Sequence, residues 1–178
     1  MQAQAEDVGK LPGQQKMFVE SEVGLGHRLT DMALIYRYLA AGKGKFTLRN
    51  GKTGRRVTFE VESCGRKDDK GEPTGPMFLS AAVSGKLQYF GCMWDYRDRA
   101  TAGWAYGKKS KLARSAVEVQ TFAWFWDHVK WQVALPAHIE FWHEGRCAKC
   151  GSDLTVPESI VAGFGPKCLK MIQLKVRV

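Results

Sequence analysis

The sequence predicts an α+β protein, with a small antiparallel sheet flanked by two helices and a compact C-terminal module that contains clustered cysteines. Three observations predict this fold. Strand-like segments follow one another in the middle of the chain, helical patterns lie on either side of them, and three of the five cysteines fall in the last third. With 178 residues, 44% of them hydrophobic, the chain can bury one good core. We expect a flexible tail over residues 1–26, an α+β domain over 27–136 and the module over 137–178.

The first helix is predicted just after the tail. Thr30 is a good N-cap, and Gly42 is a natural stop for the helix. Apolar residues between them follow a helical spacing: Met32, Leu34, Ile35, Tyr38 and Leu39.

Four strands are predicted next. Residues 46–48 and 57–61 flank Asn50-Gly51-Lys52-Thr53-Gly54, whose Asn-Gly pair and second glycine suit a hairpin turn. Residues 77–83 and 87–94 form a second pair around Ser84-Gly85-Lys86, which completes an antiparallel meander. The basic segment 95–114 follows, with a short strand expected at Trp104-Ala105-Tyr106.

The second helix is predicted from about Ser115 to Trp131. Ser115 and Glu118 have the spacing of a capping box. The expected buried stripe consists of Val119, Phe122, Trp126 and Val129. After Pro136, a strand at residues 139–142 is expected to deliver the chain to the cysteines.

The C-terminal cysteines have the spacing of a zinc site, His143-x3-Cys147-x2-Cys150-x17-Cys168. A Cys-x-x-Cys turn presents two thiolates about one tetrahedral edge apart. Pro166 favours the first turn of a helix, so Cys168 is predicted near the start of a final helix, as in a treble clef. The alternative is three buried thiols without a metal. We expect one structural Zn²⁺ ion.

The fourth ligand is less well determined by the spacing than the three cysteines. His143 is the nearest candidate in the sequence, His138 is the next, and Cys92 lies in a hydrophobic strand where a free cysteine is usually a core residue. A site of three cysteines and one histidine is closed to water and substrate, so it stabilises a fold and argues against zinc catalysis.

The cysteine segment also resembles a known family. The resemblance covers residues 142–168 and rests on three stretches: Trp142-His143-Glu144-Gly145-Arg146-Cys147-Ala148-Lys149-Cys150-Gly151, Leu154-Thr155-Val156-Pro157-Glu158-Ser159-Ile160 and Gly163-Phe164-Gly165-Pro166-Lys167-Cys168. This pattern is similar to the DUF6011 family of small zinc-binding modules found in bacteriophage and prophage proteins. Ser152 and Phe164 depart from the arginine and the aliphatic residue that members usually carry. The resemblance implies a zinc ion and a phage or mobile-element origin, and it implies no activity.

The formal net charge of +9 is concentrated in blocks. Basic residues without acids fill 43–56, and 97–114 holds basic residues and aromatics with Asp98 as its only acid. Such a combination suits phosphate pairing and base stacking. The expected nucleic-acid contacts are Lys52, Arg55, Arg56, Trp94, Arg97, Arg99, Trp104, Tyr106, Lys108, Lys109 and Lys111. The alternative is an ordinary hairpin with solvated charges, and core-facing aromatics that alternate with exposed charges.

The leading hypothesis is therefore a phage-type accessory protein that binds nucleic acid, including single strands, without being an enzyme. A host-takeover or anti-defence protein that binds a host protein is the second hypothesis, and sequestration of a nucleotide signal is the third. No nucleophile and base are suitably arranged in the sequence. No apolar run reaches the length of a membrane-spanning helix, so we expect a soluble protein in the cytoplasm, the host's if the chain is phage-encoded. The oligomeric state stays open.

Overall fold

The computed structural model describes residues 27–69 and 73–178, and the predicted tail over 1–26 lies outside them. The described elements form one seven-stranded sheet and four helices. In chain order they are β1 (Arg28–Leu29), α1 (Met32–Ala40), β2 (Lys43–Asn50), β3 (Arg56–Ser63), β4 (Met77–Val83), β5 (Lys86–Trp94), β6 (Gly103–Tyr106), α2 (Val117–Trp131), β7 (Ile139–His143), α3 (Pro157–Ala162) and α4 (Pro166–Lys175).

The sheet has the order β1-β7-β2-β3-β4-β5-β6, and every neighbouring pair is antiparallel. The predicted meander is confirmed as β2 to β5, and the expected short strand over 104–106 is confirmed as part of β6. The sheet is larger than predicted because β7 pairs with the free edge of β2, with Leu48 opposite Phe141. The first strand of the predicted C-terminal module is therefore an inner strand of the main sheet.

The helices α1 and α2 pack on one face of the sheet. Alternate residues of the strands point to this face, and they include Phe46, Phe59 and Phe141, all buried. Phe125 of α2 lies 5.5 Å from Phe46 between ring centroids. Tyr38 of α1 lies 5.5 Å from Phe141, edge to face. The core is thus an aromatic layer between two helices and one side of the sheet.

Both predicted helices exist, but their N-caps differ from the predictions. α1 is capped by Asp31 instead of Thr30, because the Asp31 Oδ1 accepts the Leu34 N–H at 2.8 Å. α2 begins after Ala116, which has no side-chain cap, so the predicted capping box of Ser115 and Glu118 does not form. The stripe predicted for α2 is buried as expected.

Backbone hydrogen bonds join the segment after β7 to the rest of the protein. The Lys43 N–H donates to the carbonyl oxygen of Ala148 at 2.8 Å, next to the start of β2. Beyond α4, the Arg177 N–H donates to the Arg97 carbonyl oxygen at 2.8 Å, in the loop between β5 and β6. The module and the sheet therefore stabilise each other. None of the helices in the described ranges has the length and apolarity to cross a membrane.

Candidate metal centre and basic surface

The first two cysteines lie on a tight turn that follows β7. The Gly151 N–H donates to the Cys147 carbonyl oxygen at 2.8 Å, and the Cys147 N–H donates to the Ser152 carbonyl oxygen at 2.8 Å. Gly151 has a φ of +80°, a conformation that glycine adopts without a steric penalty. Arg146 and Asp153 flank the turn and form a salt bridge, with 3.0 Å between Nε and Oδ1. The turn therefore holds its two thiols in a defined position.

The third cysteine comes from the start of α4, as predicted. Pro166 is the first residue of this helix, which places Cys168 in its first turn. The unpaired amide groups at a helix N-terminus favour a negative charge, so this position suits a thiolate ligand.

The sulfur atoms of Cys147, Cys150 and Cys168 all lie within 4.8 Å of one another. Three thiolates around a tetrahedral zinc ion, each at about 2.3 Å, would be roughly 3.8 Å apart. Cys147 is fully buried, Cys168 is half-buried and Cys150 is exposed, so the site opens to the surface at one corner. This donor set fits a zinc ion, and these three residues would hold it.

The electrostatics of the three thiols also fit a cation. Burial, together with repulsion from Cys147, raises the pKa of the Cys168 thiol to about 12. The hydrogen bond to the Ser152 hydroxyl, with 3.4 Å between Sγ and Oγ, lowers the pKa of Cys150 to about 7. Thiolates this close repel one another, and a bound metal ion removes that repulsion as it displaces the protons. Metal binding at this site is therefore expected to release protons.

His143 lies outside this group of thiols, and both of its ring nitrogens have other partners. The Nε2 atom lies 2.7 Å from the carbonyl oxygen of Ile160, and Nδ1 accepts the Gly145 N–H at 3.0 Å. Burial lowers the pKa of His143 to about 4, so the ring is neutral. A neutral ring has one N–H and one lone pair, and these two hydrogen bonds use both. The structure therefore gives no support to His143 as the fourth ligand.

The two alternative ligands also lie elsewhere. The His138 carbonyl oxygen accepts the Gly51 N–H at 2.7 Å, beside the β2–β3 turn. Cys92 lies within β5, opposite Phe78 of β4. Within residues 27–69 and 73–178, no other His, Cys, Asp or Glu joins the three cysteines.

Residues 140–172 match the family model described as "Family of unknown function (DUF6011)". The match confirms the resemblance in the sequence, and it contains most of β7, the three cysteines and most of α4. No curated protein and no solved structure matches the chain. The matched segment, called the DUF6011 segment below, thus contains the three clustered cysteines, whereas most of the seven-stranded sheet lies outside it.

Much of the positive charge collects at the end of the sheet away from the DUF6011 cysteines. In the antiparallel order, the β2–β3 turn, the β4–β5 turn and the segment after β6 all lie at the same end. We call this region the basic end, and its residues are Lys52, Arg55, Arg56, Lys86, Lys108, Lys109, Lys111 and Arg114. Residues 50–56, 83–87 and 107–116 contain no Asp or Glu, and the acidic residues that border this end are Glu118 of α2 and Glu140 of β7, which lies opposite Arg49.

The side chains of the basic end are available for a partner. All eight residues are exposed, and the guanidinium of Arg114 lies 4.8 Å from the Tyr106 ring centroid. None of them forms a salt bridge with a residue in the described part of the chain. From β2 to β6 the row of strands is about 19 Å wide, at roughly 4.8 Å per strand.

Two arginines predicted to contact nucleic acid lie at the opposite end and serve the fold. The Arg97 Nη2 donates to the Pro73 carbonyl oxygen at 2.7 Å and lies 3.8 Å from Asp68. Arg99 donates to the carbonyl oxygen of Lys130 at the end of α2. Arg97 and Arg99 therefore fasten the β5–β6 loop, which removes them from the basic end.

The three predicted stacking residues are also placed differently from the expectation. Trp104 faces the helices, with its ring centroid 5.2 Å from that of Phe122. The Tyr106 hydroxyl donates to the Leu112 carbonyl oxygen at 2.6 Å. Trp94 is 39% exposed, but it lies at the far end of β5 from the basic end. The alternative of core-facing aromatics is thus the observed arrangement for Trp104 and Tyr106.

The sequence-based prediction missed Lys86 and Arg114 as members of the basic end, and it missed the aromatic residue Trp142. The sequence predicts Lys86 only as part of a turn, although the antiparallel meander places this turn beside the hairpin. The sequence places Trp142 in the segment that leads to the cysteines, and the pairing of β7 with β2 shows that it belongs to the main sheet.

Proposed function

We propose that this protein binds nucleic acid non-enzymatically through its basic end, and that one zinc ion stabilises its DUF6011 segment. The observation that supports nucleic-acid binding is the convergence of three acid-free segments at one end of the sheet. A surface with many free Lys and Arg side chains neutralises phosphates and releases counterions. The bacteriophage or prophage origin and cytoplasmic location belong to the same proposal.

The separation of the two regions supports a scaffolding role for zinc. The cysteine turn packs beside Lys43, at the start of β2, whereas the basic hairpin follows Asn50, at its end. Because the metal centre lies at the opposite end of β2 from the basic end, a bound zinc ion would affect nucleic-acid binding only by stabilising the fold.

Fluorescence anisotropy with labelled DNA and RNA tests the proposed function. The test variant replaces Lys108, Lys109 and Lys111 by Gln, and its control replaces Arg66, Lys67 and Lys170 by Gln. Both sets are exposed and remove the same charge, but the control set lies away from the basic end. We expect the test variant to bind at least tenfold more weakly at low salt and the control to change by less than threefold. Equal losses in both variants would show that net charge alone causes the binding and would contradict the proposed function.

A protein partner is the second candidate, and one apolar groove favours it. The groove lies next to the basic end, has a volume of about 400 Å³ and is lined by residues that include Leu48, Val57, Val117, Trp124 and Ile139. Trp124 is 37% exposed and Val117 is 53% exposed there. An aromatic side chain in such a groove is a typical anchor of a protein interface. Binding of this kind would depend on Trp124 and only weakly on salt, which separates it from nucleic-acid binding.

A further inference from the structure

The face of the sheet opposite α1 and α2 carries a cluster of polar residues and one indole. Thr47 and Arg49 of β2 alternate with buried Phe46 and Leu48, so they point away from the helices. The cluster continues on the two adjacent strands. Arg49 lies between Arg56 of β3 and Glu140 of β7, and Thr47 lies between Thr58 of β3 and Trp142 of β7.

Arg49 and Arg56 lie directly opposite each other on neighbouring strands. Like charges in such a pair destabilise a sheet, so folding alone does not account for the pair. Glu140 is the nearby acid, with its Oε2 3.4 Å from Arg49 Nη1 and its Oε1 3.9 Å from Arg28 Nη1. This carboxylate serves two guanidinium groups, and Arg56 has no salt bridge to any described residue. The cluster therefore keeps an excess of positive charge.

The cluster encloses a concave space. A cavity of about 420 Å³ is lined by Thr47, Arg49, Arg56, Thr58 and Trp142. The Thr47 and Thr58 hydroxyls lie 2.8 Å apart and form its floor. The Trp142 Nε1–H donates to Glu140 Oε2 at 3.0 Å, which fixes the indole at one side of the cavity. The volume is within the usual range for small-ligand sites.

The chemistry of this cavity selects one kind of ligand. An indole offers a flat surface on which a nucleobase stacks, and paired guanidinium groups bind phosphate in a bidentate manner. The threonine hydroxyls supply hydrogen bonds to sugar or base atoms. An anion without a base would leave Trp142 unused, and an aromatic ligand without phosphate would leave the two arginines unneutralised.

The cavity is continuous with the basic end, because Arg56 belongs to both. We propose that the open face of β2, β3 and β7 holds one nucleotide unit of a single strand, with its base on Trp142 and its phosphate between Arg49 and Arg56. This assignment rests on the nucleic-acid binding proposed above and adds to it a preference for single strands. A base inside a duplex cannot reach the indole without being unstacked.

The test compares Trp142→Leu, Trp142→Phe and the control Trp131→Leu, since Trp131 is an exposed tryptophan at the C-terminus of α2. The probes are a single-stranded 12-mer, a duplex of the same length and a free mononucleotide. We expect Trp142→Leu to weaken single-strand binding about tenfold and to change duplex binding less than twofold. Trp142→Phe should recover most of the loss, because it keeps an aromatic face, and Trp131→Leu should behave like the wild type.

The two proposals fail in different ways. Unchanged single-strand binding by Trp142→Leu, together with weaker binding by the Lys108, Lys109 and Lys111 variant, would overturn the nucleotide site and leave the proposed function standing. Binding of the mononucleotide alone, lost in Trp142→Leu, would support the site for a free nucleotide and overturn nucleic-acid binding. Binding of none of the three probes would overturn both.

Discussion

The Nε2 atom of His143 lies 2.7 Å from the carbonyl oxygen of Ile160. His143 is the last residue of β7, and Ile160 belongs to α3 of the DUF6011 segment. The imidazole is buried and stacks on His27, with ring centroids 5.0 Å apart. This histidine therefore joins the sheet by a hydrogen bond to the segment that contains the cysteines. Its ring is close to the cysteines in sequence but lies outside their group.

Replacing His143 by Gln is expected to destabilise the protein and leave the metal bound. The substitution removes a buried hydrogen bond and the packing of the ring, which costs on the order of 1–3 kcal/mol of unfolding free energy. The measurement is the visible spectrum and metal content of the cobalt-substituted protein. Spectra with the same thiolate-to-cobalt bands in both proteins would agree with this role. Loss of the metal, or a clear change of the cobalt d–d bands, would instead make His143 a ligand.

Acid is expected to destabilise the wild type through this same ring. The pKa of His143 is lowered to about 4 by burial, whereas an unfolded histidine titrates near 6.5. Between these values the unfolded state binds more protons, so stability is fully present above about pH 6.5 and falls as the pH drops towards 4. Urea unfolding at several pH values, with zinc in excess, should show a shallower acid dependence in His143→Gln than in the wild type. Parallel curves for the two proteins would contradict the assignment.

Replacing Cys168 by Ser is expected to abolish stoichiometric zinc binding. The substitution removes one of three clustered thiolates and leaves an incomplete donor set. The matched control is Cys92→Ser, since Cys92 is a half-buried cysteine on β5 outside the cluster. Elemental analysis should find one zinc per chain in the wild type and the control. The thermal midpoint should fall by about 5 °C or more in Cys168→Ser alone. Full zinc occupancy in Cys168→Ser would contradict the proposed site.

Replacing Lys130 by Met is expected to loosen the β5–β6 loop without changing nucleic-acid binding. The Lys130 Nζ donates to the carbonyl oxygens of Arg99 and Ala100 at 2.6 and 2.9 Å, and also to Ala102. Burial lowers the pKa of this ammonium group, in line with its position between the helix and the loop. Loss of these bonds should cost about 1–2 kcal/mol of unfolding free energy. Denaturant unfolding measures the stability and fluorescence anisotropy measures the affinity for nucleic acid on the same sample. A loss of affinity at unchanged stability would contradict this prediction and indicate that the β5–β6 loop contacts nucleic acid.

The cluster of three cysteines could be predicted from the sequence because its residues lie close together along the chain. The Cys-x-x-Cys spacing predicts a tight turn, and the proline before Cys168 predicts the start of a helix. Both predictions concern local backbone structure, which depends on residues that are near one another in sequence. The pairing partner of β7 could not be predicted in this way, because the register that places Leu48 opposite Phe141 joins residues far apart in sequence. The sequence predicts the strand that contains Trp142 but not the place of this strand beside β2 in the main sheet.

The basic residues illustrate the same limit. Lys108 and Arg97 belong to one charged block in the sequence, but the block contains β6, and a strand carries its two ends to opposite ends of the sheet. Charge counting along the chain cannot separate residues that bind a partner from residues that bind backbone carbonyl groups, as Arg97 and Arg99 do. Only the antiparallel order shows which charges converge.

The most direct test of nucleic-acid binding by the basic end is the salt dependence of the dissociation constant for a single-stranded oligonucleotide. For single strands, the logarithm of affinity falls by about 0.7 per phosphate contact for each tenfold rise in salt. We predict a steep wild-type dependence, and a slope smaller by about 2 when Lys108, Lys109 and Lys111 are replaced by Gln. A wild-type protein that does not bind at 50 mM salt, or a slope that the three substitutions leave unchanged, would contradict the account.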